Sequence, residues 1–171
     1  MSSNRIFRQI KSFQEFTVTS IVIGIILAVV FGAANAYLGL IVGMTVSASI
    51  PAAVISMGII RVILRKDSIL ENNLVQTIGS AGESVAAGAI FTLPALFIWA
   101  EEGKIAFPSM MTIFLVALFG GVLGICFMVP LRQALIVEEH GTLPFPEGTA
   151  CAEVLLAGEE GGAKAGTVFA G

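Results

Sequence analysis

Hydrophobic residues in this chain run on for long distances and seldom alternate with polar ones. From Phe16 to Ile60 there are 45 consecutive residues without Lys, Arg, Asp, Glu or His. A helix crosses the hydrocarbon of a bilayer with about 20 residues, so this run holds two crossings and a turn. The spans read as about Phe16 to Leu38 and about Leu40 to Leu64, with an uncharged turn from Tyr37 to Leu40. A third span ends near Ala100 and begins between Ile78 and Val85, and a fourth covers about Met110 to Pro130. The pattern predicts an all-α polytopic transmembrane bundle of about four spans. A cleaved leader is a poor fit, because its apolar region is only about 7–15 residues long.

One short stretch breaks the pattern. Residues 72–84, NNLVQTIGSAGES, place Asn72, Asn73, Gln76, Thr77, Ser80, Glu83 and Ser84 between two apolar runs. On a helix, Asn73, Gln76, Thr77 and Ser80 stand at i, i+3, i+4 and i+7, which is one face. Leu74, Val75, Ile78 and Ala81 cover the other side. The segment therefore reads as a re-entrant or amphipathic helix before the third span, with an uncharged polar stripe. Surface-lying helices usually display charged side chains there. Amides and hydroxyls serve either as hydrogen-bond glue between spans or as the lining of a polar cavity. Glu83 lies 18 residues before Glu101, roughly 27 Å along a straight helix, near the inner edge of the hydrocarbon. It reads as an interfacial anchor or as a buried acid able to exchange protons.

Composition and charge sharpen the class. Of 171 residues, 56% are hydrophobic and 12% charged, against roughly 25% charged in a soluble domain. Arg5, Arg8 and Lys11 precede the first span, Arg61, Arg65 and Lys66 follow the second, and Arg132 follows the fourth. Seven of the nine basic residues thus fall on one side, and the positive-inside rule makes that side cytoplasmic, with both chain ends there. Lys164 agrees, and Tyr37 and Trp99 fall at the outer interface. The expected home is an inner or plasma membrane. Ile6, Phe7, Ile10 and Phe13 interleave with the first basic residues, as in a helix lying on the membrane or in a frayed terminus.

Small residues let spans pack closely. Gly39 with Gly43, Gly120 with Gly124, and Ser47, Ser49, Ala52, Ala53 and Ser56 supply such surfaces. Pro51 and Pro94 fall within the second and third spans and would kink them. The organisation reads as a cytoplasmic segment over 1–15, a four-span unit over 16–130, and a cytoplasmic or re-entrant loop over 131–171. The chain ends on Thr167-Val168-Phe169-Ala170-Gly171, which reads as the opening of a further apolar run.

Soluble chemistry is poorly represented. His140 follows Glu138 and Glu139 in a solvated loop, and Cys126 and Cys151 are too far apart to suggest a metal site or disulfide framework. The GEEGGAKAG stretch lacks phosphate-loop spacing. A membrane-embedded enzyme would need paired acids, His motifs or Ser/Lys dyads inside spans, and only Glu83 approaches that. No catalytic residue, cofactor, metal or nucleic acid is expected.

Two motifs carry a family resemblance. Asn72-Asn73 with Gln76-Thr77 opens the third span, and Pro144-Phe145-Pro146-Glu147-Gly148-Thr149-Ala150, with Ala152, follows the fourth. In this order they resemble the oligopeptide transporter family, in its prokaryotic and yellow-stripe-like branch, over residues 12 to 171. The resemblance implies a secondary transporter of small peptides, modified peptides such as glutathione, or metal chelates, driven by a proton gradient. It also implies a longer protein grown by duplication, with further helices beyond these four spans. Apart from the resemblance, a homo-oligomer stays open as a partner. The path would then be lined by Asn72, Asn73, Gln76, Thr77, Ser80, Glu83, Glu147, Gly148 and Thr149. Glu147 stands where plant yellow-stripe members carry a small polar residue, which weakens any transfer of metal-chelate specificity. The PFPEGTA stretch would start a helix whose N-terminus suits an anion such as a peptide carboxylate. The rivals are a small four-span scaffold subunit and a passive channel.

Overall fold

The computed structural model describes residues 16–63, 65 and 68–160. The amphipathic reading of residues 1–15, Lys66, Lys164 and the apolar run after Thr167 lie outside them. The described residues form helices: α1 Val18–Val42, α2 Ser49–Met57, α3 Ile69–Thr92, α4 Pro94–Glu101, α5 Met110–Arg132 and α6 Pro146–Glu160. π-helical turns at Gly58–Ile63 and Gln133–Glu138 prolong α2 and α5. Three continuous stretches are long and apolar enough to cross a membrane, namely Val18–Val42, Ile69–Glu101 and Met110–Glu138, while Ser49–Arg61 is a shorter apolar helix. The chain is an integral membrane protein built as an all-α bundle.

Glycine sets the tightest contact. Alpha-helices α1 and α3 run parallel, with Gly24 against Ile78, Gly32 against Gly82 and Gly39 against Ile90. A Cβ added at Gly82 would overlap the Ala28 carbonyl and come within 2.6 Å of Ala28 Cα. Backbones meet there without a side chain between them, as spans do when lipid removes the usual hydrophobic drive. Because α1 and α3 are parallel, residues 43–68 must return along them. Ala52 backs onto Gly79, and Ile60, Val75 and Leu27 close a small apolar core.

The first turn differs from the expected one. Alpha-helix α1 runs through Tyr37–Leu40 to Val42 and stops at Gly43, whose φ of 73° is the left-handed conformation that glycine tolerates. Gly39 instead lies buried against Ile90. Of two nearby glycines, one packs and the other turns, and spacing alone does not distinguish them.

The second span departs further. Residues 44–48 are non-helical and only then does α2 begin. Pro51 sits in its first turn, where a missing N–H costs nothing, so it starts the helix and does not kink it. Non-helical backbone inside a bundle needs its polar groups satisfied. Buried Asn35 does this: its Oδ1 accepts from the Val46 N–H at 2.8 Å, and its Nδ2 donates to the Phe31 carbonyl at 3.3 Å.

The polar stretch 72–84 is not a separate element before the third span. It is part of α3, which starts at Ser68 and runs unbroken to Thr92. Ser68-Ile69-Leu70-Glu71 is a capping-box sequence, and the Ser68 Oγ accepts from the Glu71 N–H at 3.3 Å. Leu93 keeps right-handed helical dihedrals, and Pro94 opens α4 as a continuation of α3. Alpha-helix α5 carries no buried residue.

Candidate functional site

Two helix starts meet a face of α3. The Asn35 clamp holds the non-helical segment 44–48 alongside α1, so α2 begins partway down the bundle. Its N-cap, Ala48, offers no side-chain acceptor. Ser47 accepts from the Ser49 N–H at 3.4 Å, and its hydroxyl donates to the Glu147 carboxylate. Glu147 belongs to the first turn of α6, which Pro144 and Pro146 introduce. Alpha-helices α2 and α6 then descend side by side: Met57 packs on Leu155, and Arg61 donates to the Gly158 carbonyl. The N-termini of two short helices are therefore held together at one level by a hydroxyl–carboxylate contact.

A cleft of about 770 Å³ opens at that level. Ser47 and Ser49 line it from the α2 side, Glu147, Gly148 and Cys151 from α6, and Asn73, Gln76, Glu83 and Ser84 from α3. Its far end is apolar, closed by Ile69, Leu70, Leu155 and Leu156. None of the described residues lining the cleft is basic. Glu83 stands next to Gly82, which packs on Gly32 and Ala28 near the middle of α1. The register of α3 against α1 therefore puts Glu83 level with the middle of α1, and α4 continues past the end of α1.

The Ser47 hydroxyl, followed by that of Ser49, holds the Glu147 carboxyl below the usual carboxylate range. Alpha-helix α6 lies outside the three long apolar stretches. One turn further on, Cys151 is pushed up, first by burial and then by the Glu147 charge.

The structure brings Asn73, Gln76, Glu83, Glu147 and Gly148 to the cleft and leaves four expected residues outside its lining. Asn72 is buried against α2, where its Oδ1 and its backbone carbonyl each lie 3.3 Å from the donating Ser56 hydroxyl. It acts as glue between helices. Thr77 is exposed and donates to the Asn73 carbonyl at 2.8 Å, and Ser80 donates to the Thr77 carbonyl at 3.2 Å. Both spend their hydroxyls on α3 itself. Thr149 continues the first turn of α6, with its N–H on the Phe145 carbonyl at 2.9 Å. The four-residue stripe is thus narrower than the helical spacing predicts. Ser47, Ser49 and Cys151 went unrecognised as lining residues. Ser47 and Ser49 ahead of Pro51 are the signal of a helix start, but they read equally well as small packing residues.

Among the described residues no group of three or more potential ligands could hold a metal ion. Cys126 and Cys151 are both free.

The arrangement defines a helical membrane protein with a cleft at the meeting point of two short helices. The sequence says which kind. The family model "OPT oligopeptide transporter protein" matches residues 15–170, and the chain belongs to that family. A Haemophilus influenzae protein named "Putative oligopeptide transporter" is 46% identical over 125 residues, covering 71% of this chain and 18% of the relative. The chain therefore spans less than a fifth of that relative's length. No solved structure matches it.

Proposed function

We propose that this chain supplies part of the translocation path of a proton-coupled symporter for oligopeptides or peptide-like solutes. The observation that carries this reading is the cleft itself. It joins the amide face of α3 to the PFPEGTA segment, some 70 residues apart in sequence. Ligand sites typically enclose about 300–1,000 Å³, and 770 Å³ falls in that range. Asn73 and Gln76 both donate and accept, which matches the alternating N–H and C=O groups of a peptide backbone. Short helices meeting at mid-bundle are also how secondary transporters commonly build substrate sites.

The proton role falls to Glu83. The serine contacts keep Glu147 charged, which leaves Glu83 as the other carboxylate of the cleft. The protein sits in an inner or plasma membrane with both ends of this chain cytoplasmic. Support comes from the parallel α1 and α3, which put Arg61 and Arg65 at the end where α1 begins. The bare surface of α5 is covered by lipid or by further helices of the same transporter.

The test is uptake of labelled tripeptides into vesicles holding the native protein that carries this sequence. A pH gradient should drive accumulation, and Asn73→Ala, Gln76→Ala or Glu83→Gln should impair it without loss of membrane insertion. Uptake indifferent to a collapsed gradient would indicate a passive pore. Assembly defects without any flux would indicate a scaffold.

A further inference from the structure

The lining of the cleft changes character in order. Glu83, Ser84 and Glu147 form one end, Gln76 and Asn73 follow, and Leu70, Ile69, Leu155 and Leu156 form the other. From Glu83 to Leu70 is roughly 20 Å along α3. An extended tripeptide spans about 10 Å, so it fits with one end at the carboxylates and its peptide groups beside the amides. The two ends of a peptide carry opposite charges, and the cleft treats them unequally. Among the described residues its lining offers two carboxylates and no base. An incoming carboxylate at that end meets like charge, whereas an ammonium group relieves it.

Resting on the transport reading above, we infer that the cleft selects peptides by their free amino terminus. The Glu147 carboxylate binds the ammonium group, and the leucine-lined end takes an apolar side chain. Glu147 suits this task. Its carboxylate has about four lone-pair sites, and the Ser47 and Ser49 hydroxyls fill two of them. Those hydroxyls fix the carboxylate's direction while leaving it acceptors for a cation.

The test compares trialanine, N-acetyl-trialanine and trialanine amide binding to the purified native protein by calorimetry. Acetylation removes the charge at the amino end and amidation removes it at the carboxyl end. Acetylation should weaken binding by about tenfold or more, the scale of a lost charged hydrogen bond. Amidation should change it by less than about threefold. Glu147→Gln should bring the acetylated and free peptides within about twofold of each other, while Glu147→Asp keeps the preference. Equal binding of the free and acetylated peptides, or a larger penalty from amidation, overturns the inference and leaves the transport reading intact. These wild-type comparisons decide the matter even where Glu147→Gln fails to fold. Retained preference in a folded Glu147→Gln also overturns it. Failure of all three peptides to bind overturns the peptide-site reading, and this inference with it.

Discussion

Replacing Gly82 by alanine tests the packing that holds the cleft in place. The added Cβ would lie 2.6 Å from Ala28 Cα and from its carbonyl carbon. Ordinary contact starts at 3.4 Å, so α1 and α3 must part by roughly 1 Å, a gap that forfeits a quarter to a half of each dispersion contact it opens. The obstacle is backbone and cannot rotate aside. Overpacking of this kind typically costs about 1–3 kcal/mol, against which alanine recovers up to about 1 kcal/mol of helix propensity. A net loss of about 1–2 kcal/mol is expected. Gly88 is the control: it lies on the same helix, and a Cβ there meets nothing within 4 Å. Gly88→Ala should be neutral or slightly stabilising. Thermal unfolding of the native protein in detergent, followed by size-exclusion recovery, reads the difference, and vesicle uptake reads its effect on the neighbouring Glu83. If Gly82→Ala is as stable as Gly88→Ala, the close crossing of α1 and α3 is wrong.

Further expectations follow from the same contacts. Asn35→Ala should leave the Val46 N–H without its acceptor and cost about 1–3 kcal/mol; unchanged stability and unchanged hydrogen exchange at residues 44–48 would contradict the clamp. Ser56→Ala removes a buried hydroxyl bonded to Ala53 and Asn72 and should cost about 1 kcal/mol with little change in peptide affinity, whereas Gln76→Ala should do the opposite. The Glu147 carboxyl lies below its ordinary value when folded. Its contribution is therefore present above the usual carboxylate range and is lost as pH falls through the lowered value. Hydrogen exchange at the start of α2 should accelerate only in that acid window, and Ser47→Ala should move the onset to higher pH; loosening near pH 7 would count against the Ser47–Glu147 contact.

How much of this was legible in the sequence depends on the kind of signal. Uncharged runs specify crossing helices directly, because lipid forbids unpaired backbone; α1, the end of α3 with α4, and α5 were therefore foreseeable, whereas the start of α3 at Ile69 was not. The form of the second span was not. Its residues are as apolar as the others, and only Asn35, one amide in a greasy helix, marks where the chain is pulled out of helical form. Pro51 carried the same ambiguity, since a proline signals a kink inside a helix and a start in its first turn. At the site, the amide stripe and PFPEGTA were both visible as motifs, but their meeting was not. That depends on a contact between Ser47 and Glu147, 100 positions apart. Helical spacing also cannot say which polar residues turn back onto their own backbone, as Thr77 and Ser80 do.

The most direct test of the central claim asks which face of α3 a substrate covers. Asn73→Cys, Gln76→Cys and Thr77→Cys would be introduced singly into the native protein and labelled with a thiol reagent, with and without peptide substrate. The account predicts that peptide slows labelling of the Asn73→Cys and Gln76→Cys variants and leaves that of Thr77→Cys unchanged. Protection confined to Thr77→Cys, or equal at all three positions, would contradict it.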